Sequence, residues 1–494
     1  MVFVLAVLFW MVCFSAVQFL IYVFGGSLIH VGLGWVLFSF TSAWTAMWFW
    51  LRVFSRERVE KFVMLRLFFK DTIVACVVMG FLVGYMCFSS RVLSHLASGD
   101  SYHVQSVRAL CDGWNPIRSP DASSGVSFDN RIVCSSKGNW ILEAFVTVNA
   151  GVEIETAKQM FSILFVVLCA VTAFGFMRQV LGSSRWLSCL VAGLYATNPV
   201  VIEQILSTMV DGQFASIFSA WIVALLWFAK SQSRTAGLLL GLLTVLLVNI
   251  KLTAVVYVIV VSAGYGIYIM SARAERFFSW LRVMVVSCVF GGVLAWNPFV
   301  VNAERYGHIL GMYGAGRIGT AEKKYDYQQN GQIPVGLGQS RFEDFIRANI
   351  SLPQSDVSPL VVMTPRGILS SLYGYSDPGV RSAGFGPLYL ALLLMSLGLL
   401  LFVGLDRHID RVYIGTFAAA LCSVFICPQA WWARFVPQAY SLLFIPLWAV
   451  LLRPRMRNCG RIYLVLLSAN LLLVLTGFAW GRYADLWVVI SKRG

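Results

Sequence analysis

Three residues near position 100 have side chains that could do acid–base chemistry. Asp100, Tyr102 and His103 follow an apolar run, residues 72–89, that is long enough to cross a bilayer. Polar and ionisable groups at a membrane boundary are costly unless they are solvated or used. We interpret Asp100 as a candidate general base, because a carboxylate can accept the proton of a hydroxyl group. The alternative is a solvated helix N-cap, a position that Ser and Asp often occupy.

Four further charged residues interrupt otherwise apolar sequence. Asp211 and Glu203 flank a short segment between two predicted spans, Lys251 separates two apolar runs, and Arg434 follows tryptophans. The alternatives are N-capping for Asp211 and snorkelling to lipid headgroups for the two cations. The predicted topology brings these groups to one membrane face. Acids with cations suit a reaction that deprotonates a hydroxyl and expels a phosphate.

The composition predicts an all-α polytopic membrane protein. The chain has 494 residues, of which 59% are hydrophobic and 12% charged, against roughly 25% charged in soluble domains. The net charge of +15 is expected of cytoplasmic loops beside anionic lipid, so it does not indicate a nucleic-acid partner. We predict one integral membrane domain over 1–494 with about 13 transmembrane helices (about 11 to 14).

The predicted topology places the N-terminus in the cytoplasm and two long loops outside. Basic residues concentrate in the short loops assigned to the inside, as the positive-inside rule requires. The outer loops are 90–155 and 301–386, and each is expected to contain short helices. The first apolar run lacks a basic flank and a clear cleavage site, so we interpret it as a retained helix. The predicted spans are 2–24, 28–51, 72–89, 157–177, 186–202, 213–229, 236–249, 252–270, 280–300, 387–404, 412–427, 436–452 and 462–480.

Cysteines and metal-ligand patterns give weaker signals. Cys111 and Cys134 share the first outer loop, which predicts a disulfide there; the alternative is two buried free thiols. Asp100 and His103 could join a divalent ion, but two ligands are too few to predict a metal site. We predict no cofactor. The chain has no Gly-rich phosphate loop, so an ATP-driven pump is not predicted.

The ordered motifs resemble those of bacterial GT-C type glycosyltransferases. These are polytopic enzymes that use polyprenyl-phosphate sugars and are related to protein O-mannosyltransferases and the aminoarabinose transferase of lipid A. The resemblance implies that Asp100 is the catalytic base and that Lys251 or Arg434 holds the lipid phosphate. The motifs are Asp100-Ser-Tyr-His103, Gly113-Trp-Asn-Pro116, Val210-Asp-Gly-Gln213, Asn249-Ile-Lys-Leu-Thr253, Asn297-Pro-Phe299 with Tyr306-Gly-His308, Gly384-Phe-Gly-Pro387 and Trp431-Trp-Ala-Arg-Phe-Val-Pro437.

The resulting hypothesis is an inverting transferase at the outer face of a bacterial cytoplasmic membrane. A sugar would move from a polyprenyl-phosphate donor to a hydroxyl of a glycan, lipid or protein acceptor, with membrane lipid around the chain. Tyr102, His103 and Asp211 would orient sugar or acceptor. Three alternatives stay open: a lipid or glycan transporter, an O-antigen polymerase or ligase, and a non-catalytic scaffold. Transporters often carry inverted repeats, and none is visible in this sequence.

Overall fold

The structure is a computed structural model, and within the residues it describes the chain is helical without strands. This confirms the predicted all-α class. The predicted span 72–89 lies outside the described residues apart from Gly80 and Gly84, and only 38–48 of the predicted span 28–51 is helical and described. The described residues are 1–31, 38–48, 80, 84, 101–119, 130–272, 274–309, 340–350, 372–376, 379–380, 384–405, 411–427, 429–430, 432–451, 453 and 456–491.

The helices are numbered here in chain order. Three 3-10 segments, Leu372–Ser376, Ala433–Phe435 and Pro437–Leu443, lie between them. The α-helices are α1 (Val2–Val23), α2 (Ser101–Cys111), α3 (Asn130–Cys134), α4 (Gly138–Ala150), α5 (Ile154–Gln179), α6 (Arg185–Ala196), α7 (Pro199–Gln204), α8 (Asp211–Ser231), α9 (Arg234–Ile250), α10 (Ala254–Ala272), α11 (Ala274–Leu294), α12 (Trp296–Tyr306), α13 (Arg341–Ile350), α14 (Tyr389–Leu405), α15 (Val412–Ile426), α16 (Phe444–Leu451) and α17 (Arg457–Ser491).

Five stretches of helix among the described residues are long and apolar enough to cross a membrane. Several shorter apolar helices accompany them, as expected where spans are tilted or broken. This pattern agrees with a multi-pass membrane protein. The five long stretches are Val2–Val23, Ile154–Gln179, Asp211–Ser231, Arg276–Leu294 and Asn458–Ala484.

Helix α8 is the central element of the described fold. Its side chains are buried without interruption from Asp211 to Ala229. A helix that is apolar all round is expected to be enclosed in this way. It packs against α5, α7, α9 and the 3-10 segment Pro437–Leu443. Asp211, the first residue of this enclosed helix, is therefore buried among other parts of the protein.

Two predicted spans are broken into two helices each. In 186–202 helix α6 ends at Ala196 and helix α7 begins at Pro199. The proline ring fixes the backbone φ angle and leaves no backbone N–H to donate a hydrogen bond. The Asn198 side chain caps the new helix by accepting from the backbone N–H of Val200 at 3.1 Å. In 280–300 the break separates α11 from α12, and Asn297 before Pro298 has non-helical backbone angles.

The predicted disulfide between Cys111 and Cys134 is wrong, since both are free thiols. The Cys111 thiol, at the end of α2, lies 3.9 Å from the carbonyl oxygen of Ala144 in α4. Cys134 is buried at the end of the short helix α3. Within residues 90–155 the structure contains the short helices α2, α3 and α4.

Candidate functional site

Asp211, Lys251 and Arg434 come together at the N-terminal end of α8. The ammonium group of Lys251 donates to Oδ1 of Asp211. Nε of Arg434 lies 3.9 Å from the other carboxylate oxygen, Oδ2. Two cations and one carboxylate leave one formal positive charge on the cluster. A buried group with excess positive charge is suited to an anion.

Local backbone structure explains why these three side chains meet. Asp211 is the first residue of α8 and follows the N-cap residue Val210. The N-capping alternative for Asp211 is therefore wrong, although a carboxylate there is favoured by the helix dipole. Lys251 is the extended residue that ends α9. Arg434 lies in the 3-10 segment Ala433–Phe435.

Aromatic rings cover the two cations. The Lys251 ammonium lies 5.4 Å from the ring centre of Phe214 and 5.0 Å from that of Phe435. The Arg434 guanidinium lies 4.1 Å from the ring centre of Trp432. The side chains of Lys251 and Arg434 are only 14% and 12% exposed. Their charged groups are thus turned toward Asp211 and aromatic faces, which differs from snorkelling to headgroups.

His103 and Tyr102 form a second group, packed on α4. Nε1–H of Trp140 donates to Nδ1 of His103 at 3.1 Å. Because Nδ1 accepts this bond, the proton of a neutral His103 imidazole is on Nε2. The ring of Tyr102 lies against the imidazole, with centroids 4.0 Å apart. Asp100, the candidate base, lies outside the described residues, so its distance to either group is not defined.

A buried polar network joins α4 to α5 and α8. Glu143 and Lys158 form an ion pair with a separation of 3.9 Å, and both side chains are almost fully buried, at 0% and 1% exposed. Asn139 and Gln213 donate to the same carboxylate oxygen, at 2.6 and 3.1 Å. Burial raises the pKa of Glu143, and Lys158 and the two amide donors act in the opposite direction. A charge pair so enclosed is rare unless it is structural or functional.

The network connects the two groups of predicted residues. Gln213 lies two residues after Asp211 in α8, and Trp140 follows Asn139 in α4. Side-chain bonds from α4 therefore reach both the helix that carries Asp211 and the imidazole of His103. Sequence reasoning missed Glu143 and Lys158. The available signal was Lys158 itself, an ionisable residue at the start of a long apolar span.

The described residues contain no group of three or more His, Cys, Asp or Glu side chains placed to hold a metal ion. Comparisons of the chain with protein-family models, with curated proteins and with solved structures found no match. The charged cluster offers hydrogen-bond donors and positive charge at Lys251 and Arg434. The group on α4 holds the imidazole of His103 in one orientation.

The pKa of Lys137, the residue just before α4, can be tested directly. Burial lowers the pKa of its ammonium group to about 7, from 10.5. Between these pH values the unfolded chain binds more protons than the folded one, so stability should rise with pH. The cost of burying the charge is complete below pH 7 and is relieved as the pH rises toward 10.5. We expect the melting temperature of the wild type to increase from pH 7 to 9 relative to that of Lys137→Met.

The measurement is thermal unfolding followed by tryptophan fluorescence in detergent, at several pH values for both proteins. The difference in the free energy of unfolding between wild type and Lys137→Met can change by at most about 1.4 kcal/mol per pH unit. Lys137→Met also removes two hydrogen bonds to backbone carbonyls, at 2.5 and 2.6 Å. That loss shifts the whole curve without changing its slope. Parallel curves would show that Lys137 keeps an ordinary pKa in the folded protein.

Proposed function

We propose that this protein is a glycosyltransferase of the GT-C kind. It transfers a sugar from a polyprenyl-phosphate donor to an acceptor hydroxyl at the outer face of a bacterial cytoplasmic membrane. The observation that carries the proposal is the cluster of Asp211, Lys251 and Arg434. Three residues far apart in the sequence supply a buried site with one excess positive charge. A lipid phosphate at the membrane surface is the anion that such a site in a multi-pass membrane protein would meet.

The proposed topology places this cluster outside. About thirteen spans with a cytoplasmic N-terminus leave the ends of α7 and α9 at the outer face. The loops 90–155 and 301–386 then lie on the same side. The basic short loops inside support this orientation, and Lys230, at the other end of α8 from Asp211, agrees with it.

The proposed reaction displaces the phosphate with inversion. The acceptor oxygen attacks the anomeric carbon, and the bond from that carbon to the phosphate oxygen breaks. The acceptor proton passes to the carboxylate of Asp100. The leaving polyprenyl phosphate keeps the bonding electrons, and Lys251 and Arg434 stabilise its negative charge. In this proposal His103 and Tyr102 orient the sugar or the acceptor, and Asp211 holds the two cations in place.

Variants that remove one charge of the cluster test the proposal, because loss of a cation and loss of the carboxylate should change polyprenyl-phosphate binding differently. Lys251→Met and Arg434→Met each remove a donor to the phosphate, which should weaken polyprenyl-phosphate binding about tenfold to a hundredfold. Asp211→Asn removes the competing negative charge but keeps a side-chain oxygen that can accept from Lys251 and hold it in place, so binding of the anion should be unchanged or tighter. The measurement is displacement of a fluorescent polyprenyl phosphate from the protein in lipid nanodiscs.

Two controls separate this site from a structural ion pair. Lys230→Met removes a cation at the opposite end of α8, where its ammonium lies 4.9 Å from the ring centre of Tyr413. It should leave binding unchanged. Polyprenol without the phosphate should bind wild type and variants alike. Equal weakening by Lys251→Met and Asp211→Asn would indicate that the cluster only holds helices together, and would contradict the proposal.

A lipid or glycan transporter is the second candidate, and the Glu143–Lys158 pair favours it. Buried acid–base pairs within membrane domains often mark proton or ion pathways. Purified protein in sealed vesicles separates the two functions. A transferase forms a glycosylated acceptor from a labelled lipid-linked sugar, whereas a transporter moves the intact labelled lipid across the bilayer without forming product.

A further inference from the structure

Tyr257 is a buried phenol whose hydroxyl links two distant parts of the chain. It lies near the start of α10, and only 3% of the residue is exposed. Its hydroxyl donates to the backbone carbonyl oxygen of Phe435 at 2.7 Å. Phe435 is the last residue of the 3-10 segment that carries Arg434. One hydrogen bond therefore joins α10 to the backbone beside Arg434.

The other end of this link is tied to Lys251. Lys251 lies just before α10, and its backbone carbonyl accepts from the N–H of Ala254, the first residue of that helix, at 3.0 Å. The chain from Lys251 to Tyr257 is thus a hydrogen-bonded turn that leads directly into a helix. Such a segment has a nearly fixed length. The bond from Tyr257 to Phe435 therefore sets the position of Arg434 relative to Lys251.

Aromatic contacts extend this link to the surroundings of both cations. The ring centre of Tyr257 lies 6.1 Å from that of Phe214. Phe214 and Phe435 are the two rings beside the Lys251 ammonium, at 5.4 and 5.0 Å. The Arg434 guanidinium lies 5.0 Å from the ring centre of Phe435. Tyr257 packs beside one of these rings and hydrogen-bonds to the backbone of the other, so it holds the aromatic faces that the cations contact.

The segment Ala433–Phe435 depends on support of this kind. It is a single 3-10 turn, whose internal hydrogen bonds have poorer geometry than those of an α-helix. The residue before it, Trp432, donates from Nε1–H to the carbonyl oxygen of Gly379 at 2.6 Å. The bond from Tyr257 holds the other end. The backbone at Arg434 is therefore fixed on both sides by side-chain donors.

The bond made by Tyr257 differs in kind from the ion pairs made by Asp211. An arriving phosphate would compete with the Asp211 carboxylate for the N–H groups of Lys251 and Arg434, because both offer anionic acceptor oxygens. The bond from Tyr257 to a backbone carbonyl is neutral and takes no part in that competition. It keeps the two cations at one separation while their acceptor changes.

We infer that Tyr257 is a positioning residue, which holds Arg434 beside Lys251 so that both cations bind one anion. The identification of that anion as a lipid phosphate rests on the proposed function. The placement of the two cations rests only on the contacts of Tyr257 with Phe435 and Phe214.

Tyr257→Phe tests the inference, because it keeps the ring beside Phe214 and removes only the hydroxyl. We expect the affinity for polyprenyl phosphate to fall about threefold to tenfold, as for the loss of one hydrogen bond. The measurement is displacement of a fluorescent polyprenyl phosphate from the full chain in lipid nanodiscs. In an Arg434→Met background the same substitution should change the affinity less than about twofold, because Tyr257 acts mainly through Arg434.

Tyr389→Phe is the matched control. The Tyr389 hydroxyl is also buried and donates to the backbone carbonyl of Ala439 at 2.9 Å, in the next 3-10 segment, Pro437–Leu443. The two variants should lower the melting temperature by similar amounts, but Tyr389→Phe should keep the wild-type affinity. Equal losses of affinity in the two variants, or a full effect of Tyr257→Phe in the Arg434→Met background, would indicate a general loss of stability and overturn the inference.

Hydrogen exchange of the ligand-free protein separates this inference from the proposed function. Tyr257→Phe should speed exchange of the backbone amides of residues 432–436, and Tyr389→Phe should not. Exchange at the wild-type rate in Tyr257→Phe would overturn the positioning role. Faster exchange in a protein that binds no polyprenyl phosphate would support the positioning role and contradict the proposed function. Polyprenyl-phosphate binding that Tyr257→Phe leaves unchanged would do the reverse.

Discussion

Asp100→Asn is expected to lower turnover by at least about a hundredfold. General-base catalysis by a positioned side chain contributes roughly 10²–10⁴-fold. Asparagine keeps the size of the side chain and most of its hydrogen bonding but cannot accept the proton of the acceptor hydroxyl. The measurement is transfer of a labelled sugar from a polyprenyl-phosphate donor in nanodiscs. Donor binding and the melting temperature of the variant should equal those of the wild type.

The helix-cap alternative gives the opposite result. Asparagine caps helices about as well as aspartate, so Asp100→Asn would then be nearly silent. Asp112→Asn is a matched control, because Asp112 is an exposed acid of the same predicted outer loop, just after α2. It should keep full turnover. Full activity in Asp100→Asn would remove Asp100 from the proposed reaction and would leave the phosphate site at Lys251 and Arg434 to be judged separately.

The apolar helices were predictable because burial in a bilayer leaves a long uninterrupted signal. The predicted spans 2–24, 157–177 and 213–229 correspond to helices Val2–Val23, Ile154–Gln179 and Asp211–Ser231. Hydropathy alone does not register a short break. The interruptions at Asn198-Pro199 and Asn297-Pro298 are made by residues whose neighbours stay apolar, so each predicted span ran across two helices.

The charged cluster was partly predictable, because a charge in apolar sequence is a strong local signal. Asp211, Lys251 and Arg434 each stand out in this way, and the topology assigned them to one face. Their pairing depends on how α7, α8, α9 and the segment Ala433–Phe435 pack, which no local pattern contains. The disulfide prediction was wrong for the same reason, because the presence of two cysteines on one loop does not determine the direction of either side chain.

The Glu143–Lys158 network was not predictable from local sequence. Glu143 lies in α4, inside a stretch that reads as a polar outer loop, yet its side chain is completely buried. Helix α4 packs against α2, α5 and α9, and Lys158 and Gln213 reach Glu143 from α5 and α8. The amide donors Asn139 and Gln213 come from different helices. Such a network forms only when residues far apart in the sequence come together. Its contribution to stability is large because its polar groups are enclosed away from water.

Glu143→Leu is expected to destabilise the protein strongly. The substitution leaves the ammonium of Lys158 buried without its carboxylate partner, and Asn139 and Gln213 lose an acceptor. Breaking one side of a buried ion pair typically costs about 3–5 kcal/mol. The double variant Glu143→Leu/Lys158→Met removes both charges and should recover most of that loss. The measurement is thermal unfolding of the wild type, both single variants and the double variant.

Glu343→Leu supplies the matched control for an ion pair at the surface. Glu343 pairs with Arg347 at 2.5 Å on the half-exposed helix α13, with side chains 33% and 40% exposed. Exposed pairs of this kind contribute at most about 1 kcal/mol, so its effect should be small. If Glu143→Leu destabilised the protein as little as Glu343→Leu, the Glu143–Lys158 pair would be accessible to water and not enclosed. Recovery in the double variant would instead show that the loss in each single variant comes from an uncompensated buried charge.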